Sequence, residues 1–237
     1  MKSSETALPD HIDWVETDDR LLLASRLARQ VADWLKTALQ EQDRASLAVS
    51  GGKTPINFFS ALSQQDVPWS RVDITLADER WVSGDDEASN ERLVRQHLLR
   101  HKAQEARLVG LKVEADKPEQ GVELCEQRLT TIRWPLDVLV LGMGSDGHTA
   151  SLFPGTEGLA EALTTQRRCQ PIYPLDAPHP RMTLTRTALA GARHKALHIE
   201  GDEKLAVLEE ALEHQDRIEL MPIRAFLQEN ISVFWAP

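Results

Sequence analysis

The run Val138-Leu139-Val140-Leu141, followed at once by Gly142, Gly144 and Gly147, constrains the fold of this chain more than any other stretch. Four consecutive apolar residues leave no face for water, which predicts a buried strand rather than a half-exposed one. The glycines predict a turn in which the backbone can pass close to a ligand. Asp146 and His148 flank Gly147 in that turn, setting a group that titrates near neutral pH beside a carboxylate that could orient it. This makes His148 a candidate general base; the plainer alternative is a surface histidine on an ordinary turn. Gly142, Gly144 and Gly147 also fit G-x-G-x-x-G, but a dinucleotide fingerprint opens the first βαβ unit and runs straight into a helix. Here the pattern lies past mid-chain and Phe153-Pro154-Gly155 interrupts any such helix, so a nucleotide is not expected.

The remaining pattern alternates between the two periods. Residues 18–41 predict an amphipathic helix with Leu22, Leu23, Leu27, Val31, Leu35 and Leu39 on its apolar face and Asp18 or Asp19 as its cap. Ser46–Val49 predicts a strand, Pro55–Leu62 a helix with proline in its first turn, and Arg71–Ala77 a second strand. Next come a helix near Asn90–Arg100, a strand around Leu108–Val113 and a helix near Glu119–Ile132, leading into the Leu136 strand. Beyond the glycine turn the sequence predicts strands at Arg168–Tyr173, Lys195–Ile199 and Ile231–Trp235, and a helix at Asp202–Leu212. Alternation of this kind implies an α/β fold with a doubly wound, mostly parallel sheet and helices on both faces. Ser83–Ser89 and the proline-bounded Asp176–Pro180 are the expected flexible active-site loops.

A chain of 237 residues, 41% hydrophobic, can bury a sizeable core and suits one α/β domain over residues 1–237. Its formal net charge of -10, from 37 acidic and 27 basic residues, argues against nucleic acid or an anionic membrane surface as a partner. An anionic ligand would therefore need a local basic pocket. Cys125 and Cys169 have no CxxC spacing and fit a reducing compartment; with neither a signal-like apolar segment nor a long apolar run, a cytoplasmic protein is expected. His97, His101, His194, His198 and His214 show no ligand spacing, and no metal site is expected.

Several segments could carry chemistry. Ser50-Gly51-Gly52-Lys53-Thr54-Pro55 joins a strand to a helix, where backbone N–H groups, a hydroxyl and the helix N-terminus can cradle a phosphate. The Walker spacing is missing, which favours a sugar phosphate over a nucleoside triphosphate; a plain β–α turn is the alternative. Asp78-Glu79-Arg80 is expected to close the second strand at the sheet's carboxyl edge, with Arg80 facing a carboxylate or oxyanion, or else paired to its own acidic neighbours. Asn90 could cap the next helix or touch a ligand. Arg181 follows Pro178-His179-Pro180, and Lys204 lies in a first helical turn, where it opposes the helix dipole unless an anion is bound. His179 is given no role.

In order along the chain, SGGKTP (50–55), DERWV (78–82), SN (89–90), GMGSDGHTASLFPG (142–155), RMT (181–183) and GDEK (201–204) resemble the 6-phosphogluconolactonases of the glucosamine-6-phosphate isomerase/6-phosphogluconolactonase family. The match spans most of the chain, and GMGSDGHTASLFPG is its most specific segment. The resemblance implies a Rossmann-like fold and cofactor-free hydrolysis of 6-phosphoglucono-1,5-lactone in the oxidative pentose phosphate pathway. It implies that His148 is the general base, that Arg80 contacts substrate and transition state, and that Ser50, Gly51, Gly52, Thr54, Arg181 and Lys204 form the phosphate cradle. Lys53, Asp78, Asn90 and Gly144 complete the expected substrate-binding set. Asp146 or Asp78 would orient His148, and turn amides would join Arg80 around the oxyanion. The expected partner is the small-molecule lactone, and the expected state a monomer or weak homodimer. A deaminase of the same family would carry an acidic residue after the glycine turn, where Ser151-Leu152-Phe153-Pro154 stands here. A non-catalytic sugar-phosphate sensor would carry a DNA-binding helix-turn-helix, for which this acidic chain has no basic face.

Overall fold

The computed structural model describes residues 9–237. Its main sheet has seven strands in the order β1 (Ile12–Glu16), β10 (Ile231–Ala236), β9 (His194–Glu200), β6 (Val138–Leu141), β2 (Ala45–Val49), β3 (Val72–Leu76) and β5 (Arg107–Val109). Every neighbouring pair is parallel. The strands β2, β3 and β6 are buried along their whole length, which explains their mostly apolar character, broken only by Ser46, Asp73 and Thr75. Expected and observed strands overlap throughout this sheet, except for the edge strand β1, whose sequence IDWVE carries two acidic residues and gives no clear apolar alternation.

Helix α1 (Arg20–Glu41) begins at Asp19, whose carboxylate accepts from the Leu22 amide at 2.7 Å. Leu23, Leu27, Val31, Leu35 and Leu39 are buried on one stripe, each contributing about 1.5–3 kcal/mol on leaving water. Leu22, expected on that stripe, lies outside it and is exposed. Helix α2 (Pro55–Leu62) packs on α1, and α3 (Asn90–His97), α4 (Pro118–Leu129) and α7 (Asp202–Glu213) follow where the pattern placed them. The short helices α5 (Leu159–Thr164), α6 (Arg186–Ala190) and α8 (Arg224–Leu227) carry too few residues to show a period. Cys125 and Cys169 are buried and unbridged; the contact between them, together with burial, pushes the Cys169 thiol far above its ordinary value.

Asp78-Glu79-Arg80 does not close the second main strand: β3 ends at Leu76, and β4 (Asp78–Arg80) opens a separate antiparallel sheet with β8 (Arg181–Leu184) and β7 (Cys169–Ile172). The amide of Leu184 donates to the Ala77 carbonyl at 2.8 Å, fastening the small sheet to the end of β3. The strand expected at Arg168–Tyr173 belongs here too, and its register sets Ile172 opposite Arg181. The stretch expected as a strand to Val113 ends at Val109, and the helix expected to Arg100 ends at His97.

The order of the large sheet sets the position of the site. From β2 the chain builds outward through β3 and β5, then returns to lay β6 on the other side of β2. Loops leaving β2 and β6 at their carboxyl ends therefore diverge, opening a crevice at the topological switch point where open α/β sheets bind ligands. The Ser50 loop and the glycine turn are those two loops.

Candidate active site

The Ser50 amide still belongs to the sheet, donating to Val140 at 3.0 Å, and the Ser50 hydroxyl accepts from Gly142 N at 3.2 Å. These bonds hold the two switch-point loops together. Gly52 has φ +96, a turn most residues resist, and α2 then starts at Pro55. Among the described residues the amides of Gly51, Gly52, Lys53 and Thr54 donate to no protein atom, and Thr54 makes no capping bond through its side chain. Four successive free amides at a helix N-terminus form an anion-binding cup. A Cβ on Gly51 would meet Asn90 Oδ1 at 1.9 Å, so the cup closes against α3 only because that position is glycine.

Asn90 does not cap α3. Ser89 does, accepting from the Arg92 amide at 3.1 Å, and Asn90 instead turns its amide inward to donate to the Asp78 carbonyl at 2.9 Å. Glu79, which sequence reasoning passed over, organises this corner. It is buried and accepts from the amides of Arg80, Asn90 and Glu91 at 2.7 Å each, with Ser89 Oγ at 3.2 Å. Burial raises its carboxyl above the usual range, although the amide donors offset part of the rise. Arg80 pairs with neither Asp78 nor Glu79: one guanidinium nitrogen donates to the Ala88 carbonyl at 2.6 Å, while its buried Nε has no partner. Asp78 is likewise part of the frame, accepting from Ser151 Oγ at 2.5 Å, with Arg181 Nη1 3.9 Å away.

His148 rides on the glycine turn. Its Nδ1 lies 2.5 Å from Asp146 Oδ1, and its amide donates to the same oxygen at 3.1 Å. Asp146, not Asp78, is thus the carboxylate in contact with the imidazole. Burial alone would raise the Asp146 carboxyl; the bond from the His148 amide, together with the imidazole's charge and hydrogen bond, outweighs it and holds the group below the usual range. Gly144 is required, because a Cβ there would fall 2.1 Å from His148 Nδ1. Phe153 covers one face of the imidazole with ring centroids 4.2 Å apart. The expected role of turn amides needs correction for the three glycines. Gly142 N is bound to Ser50 Oγ, Gly144 N to the His148 carbonyl and Gly147 N to the Gly144 carbonyl, so none is free for an oxyanion.

Arg181 stands directly opposite Arg80 in the β4–β8 ladder and is buried. Burial drives its guanidinium below the ordinary arginine range; Asp78 offsets part of this and Arg80 adds to the fall. Two neighbouring guanidiniums under one wall would be relieved by an anion. Lys204 sits in the first turn of α7, after Gly201 at φ +90.

All these groups meet in one cavity of about 390 Å³, within the usual range for a small-molecule site. Ser50, Gly51, Gly52, Lys53, Thr54, Asp78, Arg80, Asn90, Gly144, His148, Arg181 and Lys204 all line it, and Asp146 stands behind His148 outside the lining. Ala177 reaches the cavity from the proline-bounded loop, whereas His179 does not. Seven buried side-chain polar atoms lack a hydrogen-bond partner among the described residues, and six belong to cavity-lining residues: Arg80, Asn90, Arg181, His198 and Glu200. Orphaned buried polar atoms are uncommon in folded proteins, and their concentration here marks a surface made for a polar ligand. Among the described residues no cluster suited to a metal occurs, and no helix is long and apolar enough to cross a membrane.

Comparison with known proteins shows the family and the fold. The family described as glucosamine-6-phosphate isomerases/6-phosphogluconolactonase matches residues 18–235. A 6-phosphogluconolactonase of Pseudomonas aeruginosa is 45% identical over 239 residues, covering 100% of each chain. The crystal structure of a 6-phosphogluconolactonase from Shewanella baltica superposes with a TM-score of 0.94 at 43% identity, covering 98% of this chain and 100% of that one. A monomeric glucosamine-6-phosphate deaminase superposes with a TM-score of 0.78 at 20% identity, covering 94% and 97%, a likeness of fold alone.

Proposed function

The chain belongs to the glucosamine-6-phosphate isomerase/6-phosphogluconolactonase family, and from that premise we propose that it hydrolyses 6-phospho-D-glucono-1,5-lactone to 6-phosphogluconate in the oxidative pentose phosphate pathway. The observation that carries the reading at the site is the His148–Asp146 contact at 2.5 Å beside a cavity lined by two arginines whose buried Nε atoms have no hydrogen-bond partner among the described residues.

A lactone is an activated ester, so hydrolysis requires a placed water, a base and charge stabilisation, and no covalent nucleophile. With Nδ1–H donating to Asp146, the imidazole is held as the tautomer whose Nε2 can accept a proton. Water attacks the lactone carbon while His148 Nε2 takes its proton. The carbonyl oxygen, now an oxyanion, is met by Arg80, whose buried Nε is unpartnered. When the tetrahedral intermediate collapses, the ring C–O bond breaks and His148 returns the proton to the leaving ring oxygen. Asp146 stabilises the transient imidazolium throughout. The phosphate lies on the Gly51–Thr54 amides, with Lys204 and Arg181 supplying positive charge.

The deaminase reading would need a second acid beside the histidine to open the sugar ring. Here Phe153 covers the imidazole, and the only acidic partner of His148 among the described residues is Asp146. Incubating the purified protein with freshly made 6-phosphogluconolactone, and separately with glucosamine 6-phosphate, tests the choice. Acid release from the lactone well above spontaneous hydrolysis, without ammonia from the amino sugar, is expected; ammonia release at a comparable rate would overturn the reading.

A further inference from the structure

Three of the six orphaned cavity atoms cluster on two neighbouring residues that the chemistry above does not use. They are His198 Nδ1, His198 Nε2 and Glu200 Oε1. His198 and Glu200 are two residues apart on β9, so they project from the same face at its carboxyl end. Both line the cavity, and His198 is 3% exposed, far too buried for a solvated histidine. Its Nε2 lies 3.5 Å from Glu200 Oε1, and its ring meets that of Phe58 edge-on with centroids 6.2 Å apart. Phe58 belongs to the first turn of α2, so the imidazole is pinned just beneath the helix that starts at the amide cup. Lys204 lines the same cavity four residues beyond Glu200.

A buried imidazole with both nitrogens unpartnered is costly unless a ligand completes its hydrogen bonds. The charged groups facing it are Glu200 on its own strand, Arg20 of α1 with Nη1 3.6 Å from Glu200 Oε2, and Lys204 and Lys53 across the cavity. Glu200 alone would repel an anion on the cup. An imidazolium between that carboxylate and a phosphate satisfies both, and gives its two nitrogens their partners.

We propose that His198 is a positioning residue for the substrate's phosphate, donating through one ring nitrogen to a phosphate oxygen seated on the Gly51–Thr54 amides and through the other to Glu200. This rests on the lactonase reading for the identity of the substrate, but not on the role of His148. One consequence is linkage: ligand phosphate and a proton on His198 favour each other's binding by the same factor.

The test compares phosphorylated and unphosphorylated gluconolactone in His198→Leu and His198→Gln. His198→Leu should raise KM for the phosphorylated lactone roughly tenfold or more, as expected for one charge-assisted contact, with kcat and all kinetics on the plain lactone near wild type. His198→Gln, which keeps a donor, should recover part of the loss. A wild-type KM in His198→Leu, or equal losses on both lactones, would overturn the proposal. In wild-type protein labelled with 15N-histidine, adding 6-phosphogluconate should convert one buried imidazole to its doubly protonated form, a signal missing from His198→Gln; its absence from wild type would overturn the proposal without any variant having to fold. A wild-type enzyme that hydrolyses neither lactone would instead reject the reading of the site as a whole.

Discussion

The two edges of the large sheet carry buried charge in opposite ways. At the amino-terminal edge, Asp73 on β3 is held by Arg44 and Arg107 at 2.5 and 2.7 Å, and Lys195 on β9 by Glu229 at 2.8 Å. Asp137, just before β6, accepts from the Ser46 amide and the Gln42 side chain at 2.8 Å each. At the carboxyl edge, buried nitrogens of Arg80, Arg181 and His198 have no hydrogen-bond partner among the described residues. Strand β9 supplies both edges, through Lys195 and His198, whereas Arg80 and Arg181 come from β4 and β8 of the small sheet. Charge at the first edge locks connections in the folded state, with Asp137 Oδ1 as its one partnerless buried atom among the described residues; charge at the second is left incomplete at six atoms, a concentration that a ligand would complete.

The contrast can be broken by substitution on either side. The largest effect should follow from His148→Asn, which removes the base: kcat should fall about a hundredfold to ten-thousandfold, with affinity for 6-phosphogluconate little changed. Turnover within threefold of wild type would reject His148 as the base. Arg80→Lys keeps the charge but loses the forked geometry, and should lower kcat on the order of a hundredfold; steady-state kinetics on the lactone check it.

Arg181→Ala and Lys204→Ala should each weaken 6-phosphogluconate binding roughly tenfold or more, with little effect on unphosphorylated gluconolactone. If the ratio of kcat/KM for the two lactones keeps its wild-type value in both variants, the phosphate lies elsewhere.

Asp73→Asn probes the opposite edge and should leave kcat/KM within about twofold while lowering stability by about 1–3 kcal/mol near neutral pH. Burial alone would raise the Asp73 carboxyl, but its bonds to Arg44 and Arg107 outweigh burial and hold it below the ordinary value of 3.8. A depressed carboxyl contributes stability above its unfolded value and loses it as pH falls through the folded value. The gap in Tm between wild type and Asp73→Asn should therefore be constant near neutral pH and shrink below 3.8. A gap that widens toward acid would contradict the assignment.

The sequence showed the second sheet least clearly, and for a physical reason. Strands β2, β3 and β6 are buried along their whole length and mostly apolar, so their runs stand out despite Ser46, Asp73 and Thr75. Strands β4 and β8 read DER and RMTL, three and four residues that include the cavity-lining Asp78, Arg80 and Arg181, and no alternation survives in so short a span. The capping alternative for Asn90 fails because Ser89, a capping residue just as good, precedes it, and Asn90 is left on the cavity wall. Motif and turn chemistry did identify the cavity lining, from the Ser50 loop to His148, Arg181 and Lys204. His198 and Glu200 escaped because a His-x-Glu spacing on a strand carries no known signature; only their buried atoms without hydrogen-bond partners distinguish them.

The central claim, that the carboxyl edge is incomplete because a sugar phosphate completes it, is tested most directly by a crystal structure with 6-phosphogluconate bound. The expected result places the phosphate on the Gly51–Thr54 amides, brings Arg80 Nε and Arg181 Nε within about 3.2 Å of ligand oxygens, and points the product carboxylate at His148. A product bound outside this cavity, or inside it with both arginine nitrogens still unpartnered, would contradict the account.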